Sequence, residues 1–521
     1  MLRLVLWFGA CLIAGPSLSA FAAPPVDDPP PAVEAAAHPL VGILTDELRH
    51  EMEHLATEDG TKPYYLAYAV TDIDSVTIAT SLGALYTSDA NRGRVLDVDL
   101  RVGDYGLDNT REIRGRGGRG GGFGGGGGRG ATIPIEDDPV AIRHALWRNT
   151  DRAFDDAVRR YQSVQTNMKT TVREEDDVHD FSTEKPSVYR EPRLALAIDR
   201  GAWEKRLRSI SELALKYPLI YDSQVALSGS VENRILVTSE GTTIETSRKL
   251  LRVYVSASTK AEDGMDLSQS HIFDASIESG LPDDTAILAA FQKVIDTVLA
   301  LREAPLVEPY TGPAILMNRA SGVFFHEIFG HRIEGHRQKS ADEGQTFTKM
   351  IGKPVLPEFL SVVDDPTVAK LGAQDLRGFY RFDDEGVPAQ RVGLVEDGVL
   401  RTFLMSRSPL SGFDHSNGHG RREPGRAVVS RQGNLTVQST KSVSFAQLEA
   451  QLREECKRQE KPFGYLFEDI TGGFTTTTRG GPQAFKVLPI IVYKVFVDGR
   501  PDELVRGVDI VGTPLTCFSR I

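Results

Sequence analysis

Residues 326–335 read His326-Glu327-Ile328-Phe329-Gly330-His331-Arg332-Ile333-Glu334-Gly335. Two imidazoles flank a glutamate. Imidazole is the commonest protein ligand for zinc, and a glutamate beside a ligating histidine can serve as a base toward water. The familiar zinc helix spaces its histidines four apart; here His326 and His331 are five apart. At ~3.6 residues per turn the second ring then points about 140° away from the first. A regular helix cannot aim both at one ion. The spacing therefore predicts a local π-bulge, which restores a common face, with Gly330 relaxing the backbone inside the interval.

The surroundings of the motif suit a sheltered site. Ser321-Gly322-Val323-Phe324-Phe325 puts an apolar turn ahead of His326. Glu334 and His336 follow His331 closely, and each either orients a ligating ring or stands on a solvated surface. Before the motif, Gly312 to Met317 reads as a short strand. After it, strands are expected at Ala427 to Ser430, Leu435 to Gln438, Ile490 to Val497 and Val505 to Val511. A helix is expected from Ser444, where Ser444 and Gln447 have capping-box spacing.

The first half has its own pattern. Helices are expected over Leu40 to Thr57, Asp138 to Lys169, Trp203 to Tyr217 and Asp284 to Leu301. Strands are expected at Tyr64 to Thr71, Ser75 to Leu85, Val95 to Val102, Ser223 to Ser230, Arg234 to Thr238 and Leu250 to Ser258. Glu303 to Tyr310 reads as a domain junction. The division is an N-terminal α/β domain over 40–302 and a C-terminal domain over 303–521, an α+β or α/β protein overall. Residues 111–130, dense in Gly and Arg, read as a flexible insertion; the competing reading is an Arg-Gly RNA-binding tract.

At the N-terminus, Arg3, the apolar run Leu4 to Ile13 and Ala20-Phe21-Ala22 have the layout of an export signal at 1–22, cleaved near Ala22. A Pro/Ala-rich linker follows at 23–39. The run is too short to span a bilayer, so the expectation is an exported, periplasmic or extracellular protein without stable membrane insertion. The net charge of −12 argues against a general nucleic-acid binder, which needs a basic surface. Cys11, Cys456 and Cys517 are the three cysteines, too few for a disulfide framework.

With these residues in view, the sequence resembles the TldD/PmbA family of metallopeptidases, in its metal-bearing, TldD-like branch. The likeness rests on residues 326–335, then on Asp383-Asp384-Glu385-Gly386, Leu394-Val395-Glu396-Asp397-Gly398 and Ser416-Asn417-Gly418-His419-Gly420-Arg421. Late segments also carry it: Gly472-Gly473, Asp498-Gly499, Leu504-Val505-Arg506-Gly507 and Gly512-Thr513-Pro514-Leu515. It extends over roughly Leu40 to Ile521. The resemblance implies a two-domain chain, its C-terminal domain rich in antiparallel strand, that pairs as a homodimer or with a PmbA-like subunit. It implies zinc held by His326 and His331, Glu327 as the base for peptide-bond hydrolysis, and peptides or unfolded segments as substrates. His419 or Arg421 would stabilise the oxyanion or hold substrate backbone.

The sequence departs from the family in two respects. The family's third ligand is a cysteine in a Gly-rich segment beyond the Gly-Thr-Pro-Leu element, and this sequence ends at Ile521 without one. Cys517 sits too early to match it, and Cys456 falls on an apolar helix face. The expectation is either a truncated reading frame or fragment or, for a complete chain, a site completed by water or by a substitute such as His336, His415 or His419. The export signal is the second departure. A non-catalytic peptide-binding subunit of a TldD/PmbA-type complex is the competing function.

Overall fold

Alternating apolar and polar residues build four very long strands in the first half of the chain. The computed structural model describes residues 6–8, 36–113, 130–170, 178–340, 343–481 and 484–521. Helix α1 (Pro39–His54) precedes β1 (Pro63–Ser81) and β2 (Ala84–Val102); helices α2 (Pro139–Thr170) and α3 (Arg200–Ser211) lead to β3 (Asp222–Thr238), β4 (Thr243–Lys260) and β5 (Asp266–Ala275), and α4 (Asp284–Glu303) closes the half. At ~3.3 Å per residue the longest strands reach about 60 Å. They pair antiparallel in the order β2-β1-β3-β4-β5, and two short strands complete a seven-stranded sheet.

The two faces of this sheet have different tasks. In β1, Leu66, Tyr68 and Val70 pack under α1 and α2. Val76 and Ile78, on the same face further along, join the core under α3 and α4. Successive side chains alternate across a strand, so Tyr65, Ala67 and Ala69 turn the other way. They meet Phe181, Tyr189 and Phe382, the last from the second half of the chain. Helices on one face of an antiparallel sheet make this an α+β arrangement.

Several expected strands merge. Tyr64 to Thr71 and most of Ser75 to Leu85 form the single strand β1, and the two segments between Ser223 and Thr238 form β3. Asp72, which looks like an interruption, stays in the ladder because Arg94 and Arg193 neutralise it there. The turn between β1 and β2 falls at Leu82-Gly83, both with positive φ, inside a segment expected to be strand. Leucine rarely adopts that conformation, and the lone Gly83 beside it reads as part of the strand. β5, a polar strand, was not anticipated.

In the second half, β6 (Ala314–Leu316) leads into helix α5 (Asn318–Ile328). β7 (Leu360–Asp364) and β8 (Val392–Glu396) form a small antiparallel sheet with Leu435–Ser439 and Val399–Leu400. Helix α6 (Phe445–Arg458) begins with the expected capping box on Ser444 and Gln447. The hairpin of β9 (Phe463–Thr475) and β10 (Phe485–Phe496) then sets β9 parallel to β6. The expected strand Val505 to Val511 is two short strands on β10, Glu503–Val505 and Ile510–Gly512, separated where Gly507 takes a positive φ. Phe324, Phe325, Ile328 and Phe329 pack against Phe467, Phe485 and Phe518 in the main core.

Leu6–Phe8, within the expected export signal, is a short strand parallel to β6. The rest of that signal, the linker up to residue 35 and residues 114–129 of the Gly/Arg-rich tract lie outside the described residues. Among the described residues no helix is long and apolar enough to cross a membrane.

Candidate metal centre

Helix α5 buries Ala320, Phe324 and Ile328 at four-residue steps, with Phe325 beside them. That stripe fixes the rotation of the helix and sets His326, half-buried, beside the apolar face. The π-bulge expected for the five-residue spacing does not form. The α-helix ends at Ile328, Phe329 caps it at φ −112° and ψ −55°, and Gly330–Arg332 forms a 3-10 turn. The chain meets the spacing by ending the helix and winding tighter, which folds His331 back toward His326. The two ring centroids lie 4.5 Å apart at 72°. Ligand atoms of His326, Glu327 and His331 all fall within 4.8 Å of one another, and His331 Nε2 is 4.0 Å from Glu327 Oε2.

Both imidazoles are oriented from behind. His326 Nδ1 lies 3.2 Å from Gln432 Oε1, and His331 Nδ1 lies 3.2 Å from Glu334 Oε1. An oxygen opposite each Nδ1 calls for the proton there and leaves each Nε2 lone pair free. The role of Gly330 differs from simple relaxation: the Gln432 side chain occupies the space its Cβ would need. Burial and the neighbouring His331 lower the His326 pKa, favouring the neutral ring a metal requires. Burial raises the Glu327 pKa, against the partial opposition of His331 and Arg332. Burial would also raise Glu334, but the His331 hydrogen bond and the Arg431 charge reverse it, to about 2. Arg337 Nε donates to Glu334 at 2.7 Å. His336 is buried with Nε2 4.0 Å from Glu334, and burial depresses its pKa to about 3.

The motif is clamped to two other segments. Arg332, buried, donates to the Glu327 carbonyl at 3.0 Å, to Thr475 Oγ1 at 2.7 Å and to the Thr476 carbonyl at 3.1 Å. That ties it to the end of β9. Gly473, on β9, lies so near Glu327 that a Cβ there would stand 2.9 Å from Glu327 Cγ. On the other side, Leu404 N–H donates to the Ile333 carbonyl and Gly335 N–H to the Leu404 carbonyl.

Other residues singled out in the sequence lie elsewhere. His419 is fully buried, with Nε2 3.1 Å from Asp364 Oδ1 and Nδ1 2.9 Å from the Asn417 carbonyl. It braces the segment carrying Gln432, since Arg431 N–H donates to the His419 carbonyl. Its ring has no opening to a substrate. Arg421 lies over the Tyr380 ring and beside Asp384, in a cleft between the two halves of the chain. His415 is exposed near Glu184. Cys456 is buried with Leu448 and Leu452, and Cys517 sits in the main core, where burial pushes its thiol up to about 12. Among the described residues, none of these joins the group around His326. Gln432 and Arg431, by contrast, carried no signal in the sequence.

The fold and the site define an α+β protein with a paired-imidazole centre and an adjoining carboxylate, a donor set that fits zinc. Residues 309–521 match the model of the PmbA/TldA metallopeptidase C-terminal domain, and that domain carries the likeness to the TldD/PmbA family. It is 34% identical over 218 residues to a metalloprotease of Archaeoglobus fulgidus, covering 42% of this chain and 46% of that one. It is 30% identical over 304 residues to a metalloprotease TldD homolog of Haemophilus influenzae, covering 57% and 58%. The chain thus spans about half the length of these curated relatives. The crystal structure of TldE from Thermococcus kodakarensis superposes with a TM-score of 0.59 over 91% of this chain and 92% of that one, at 14% identity, a likeness of fold.

Proposed function

We propose that this protein is a zinc-dependent peptidase that hydrolyses peptide bonds in peptides or unfolded segments. The observation that carries the reading is the gathering of His326, Glu327 and His331 within 4.8 Å, with both imidazole Nδ1 atoms engaged from behind. His326 and His331 would hold the ion through Nε2. The chemistry such an ion supplies is Lewis acidity toward water and the scissile carbonyl. Gln432 and Glu334 keep the two rings in the ligating tautomer. Glu327, its pKa raised by burial, takes the proton of the attacking water and delivers it to the leaving amine. Arg332 fixes the Glu327 backbone through its carbonyl, and Gly473 leaves room for the Glu327 side chain.

The test is Glu327→Gln, assayed with a mixed-peptide digest and metal analysis. The expected result is loss of hydrolysis by at least ~100-fold, the usual worth of a positioned base, with zinc content unchanged. Full activity with normal zinc rejects the base assignment. Export after cleavage near Ala22 is also part of the proposal, and a mature N-terminus elsewhere by mass spectrometry rejects it. Pairing, either as a homodimer or with a PmbA-like subunit, is proposed on the family likeness. A monomer mass by light scattering, with and without such a subunit, rejects that.

A further inference from the structure

A cavity of 410 Å³ has Gln432, the partner of His326, in its wall, together with Arg248, Arg377, Arg421, Arg422, Arg426 and Arg431. A single acidic residue, Glu423, shares the lining. Six guanidiniums around one small space are out of keeping with a chain of net charge −12. Like charges gathered in a cleft repel one another, and an anion bound among them offsets that repulsion. Four of them have acidic partners outside the lining: Arg377 meets Asp274 at 3.0 Å, Arg421 meets Asp384 at 3.5 Å, Arg431 meets Glu334 at 3.6 Å and Arg422 meets Asp97 at 3.9 Å. Arg426 meets Glu423 only at 4.0 Å. Arg248 makes no ion pair among the described residues; its NH2 group donates to the Arg377 carbonyl at 3.1 Å. Burial lowers its pKa, and the guanidiniums of Arg377 and Arg421 add to that against the opposing charge of Glu232.

The cavity adjoins the metal centre through its own wall. Arg431 lies 3.6 Å from Glu334, which supports His331, and Gln432 supports His326. Whatever fills the cavity therefore lies next to the proposed site of peptide hydrolysis. The guanidinium fork matches a carboxylate in two parallel hydrogen bonds. We infer that the cavity is a substrate subsite that takes a carboxylate of the bound peptide, setting which bond reaches the histidine pair. The carboxylate is an acidic side chain or a free C-terminus. The inference rests on the peptidase reading only for the identity of the ligand as a peptide.

The test is binding rather than turnover. Four fluorescent probes are titrated into the full chain with chelator present, by anisotropy: a neutral peptide with amidated C-terminus, the same peptide with a free C-terminus, an amidated peptide with two internal glutamates, and an RNA oligonucleotide. At least one carboxylate peptide is expected to bind at least tenfold tighter than the neutral amidated one, and which one identifies the source. The advantage should shrink as salt rises. In Arg248→Gln/Arg426→Gln it should fall by at least fivefold, while the neutral peptide binds as before. Equal binding of all three peptides overturns the inference, as does an unchanged preference in the double variant. So does RNA binding tighter than either carboxylate peptide. Loss of the peptidase reading through Glu327→Gln leaves these binding results standing, so the two failures are distinguishable.

Discussion

Two buried carboxylate clusters of the C-terminal half ionise in opposite directions. Glu334, behind His331, is fully buried yet charged, because the His331 hydrogen bond, Arg431 and Arg337 surround it. Near the junction with the N-terminal sheet, Asp383 is buried and Glu385 half-buried. There burial raises both, and the charge of Glu385 adds to the cost of ionising Asp383. Their oxygens instead accept backbone hydrogens, Asp383 from Glu385, Val387 and Gly420, and Glu385 from Arg407. Burial alone does not decide charge; the sign of the neighbours does. The charged cluster holds the His331 ring, while Asp383 and Glu385 tie down a loop through backbone hydrogen bonds.

The comparison can be broken first at its charged end. In Glu334→Gln the shape is kept and the charge behind His331 removed. Zinc affinity, measured by competition with a chromophoric chelator, is expected to fall 10–100-fold. An unchanged affinity means that the carboxylate does not support the ring. Gln432→Ala sharpens the same point on the other histidine. A neutral amide hydrogen bond is worth less than a charged one, so the loss should be a few-fold, and a loss as large as that of Glu334→Gln contradicts the distinction. A third test, read in stability rather than affinity, lies at the junction. Because folding raises the Asp383 pKa, the folded state holds a proton that the unfolded state releases above the ordinary aspartate range. Stability from this group is complete at acid pH and declines as pH rises toward the folded value. Asp383→Asn should start from a lower baseline, since Gly420 N–H loses its acceptor. Its denaturation midpoint should lack this group's pH dependence, which in the native protein amounts to at most ~1.4 kcal/mol per pH unit between pH 5 and 8. A parallel pH dependence in both proteins refutes the raised pKa of Asp383.

Much of the centre was legible from spacing. His326, Glu327 and His331 stand within ten residues, and Glu334 follows at one turn's distance, so local geometry brings them together. Their supporting residue Gln432 is 106 positions away, and glutamine has no compositional meaning of its own. His419 looked the equal of the motif histidines as a residue type, and only its contacts with Asp364 and Asn417 reveal a brace. The long strands were legible by alternation, but their ends were not: a charged residue inside a ladder and a leucine in a turn both mislead when pairing partners are unseen.

The sequence by itself determined the amphipathic helices, the alternating strands and the chemistry of the His-Glu-x-x-x-His segment, since each follows from side chains a few bonds apart. It did not determine how the five-residue spacing closes, which carboxylates stay charged, or that arginines from positions 248 to 431 line one cavity. Those depend on which distant segments the two cores press together. Charge and hydrogen-bond energies are set by neighbours in space, and the fold alone supplies those neighbours.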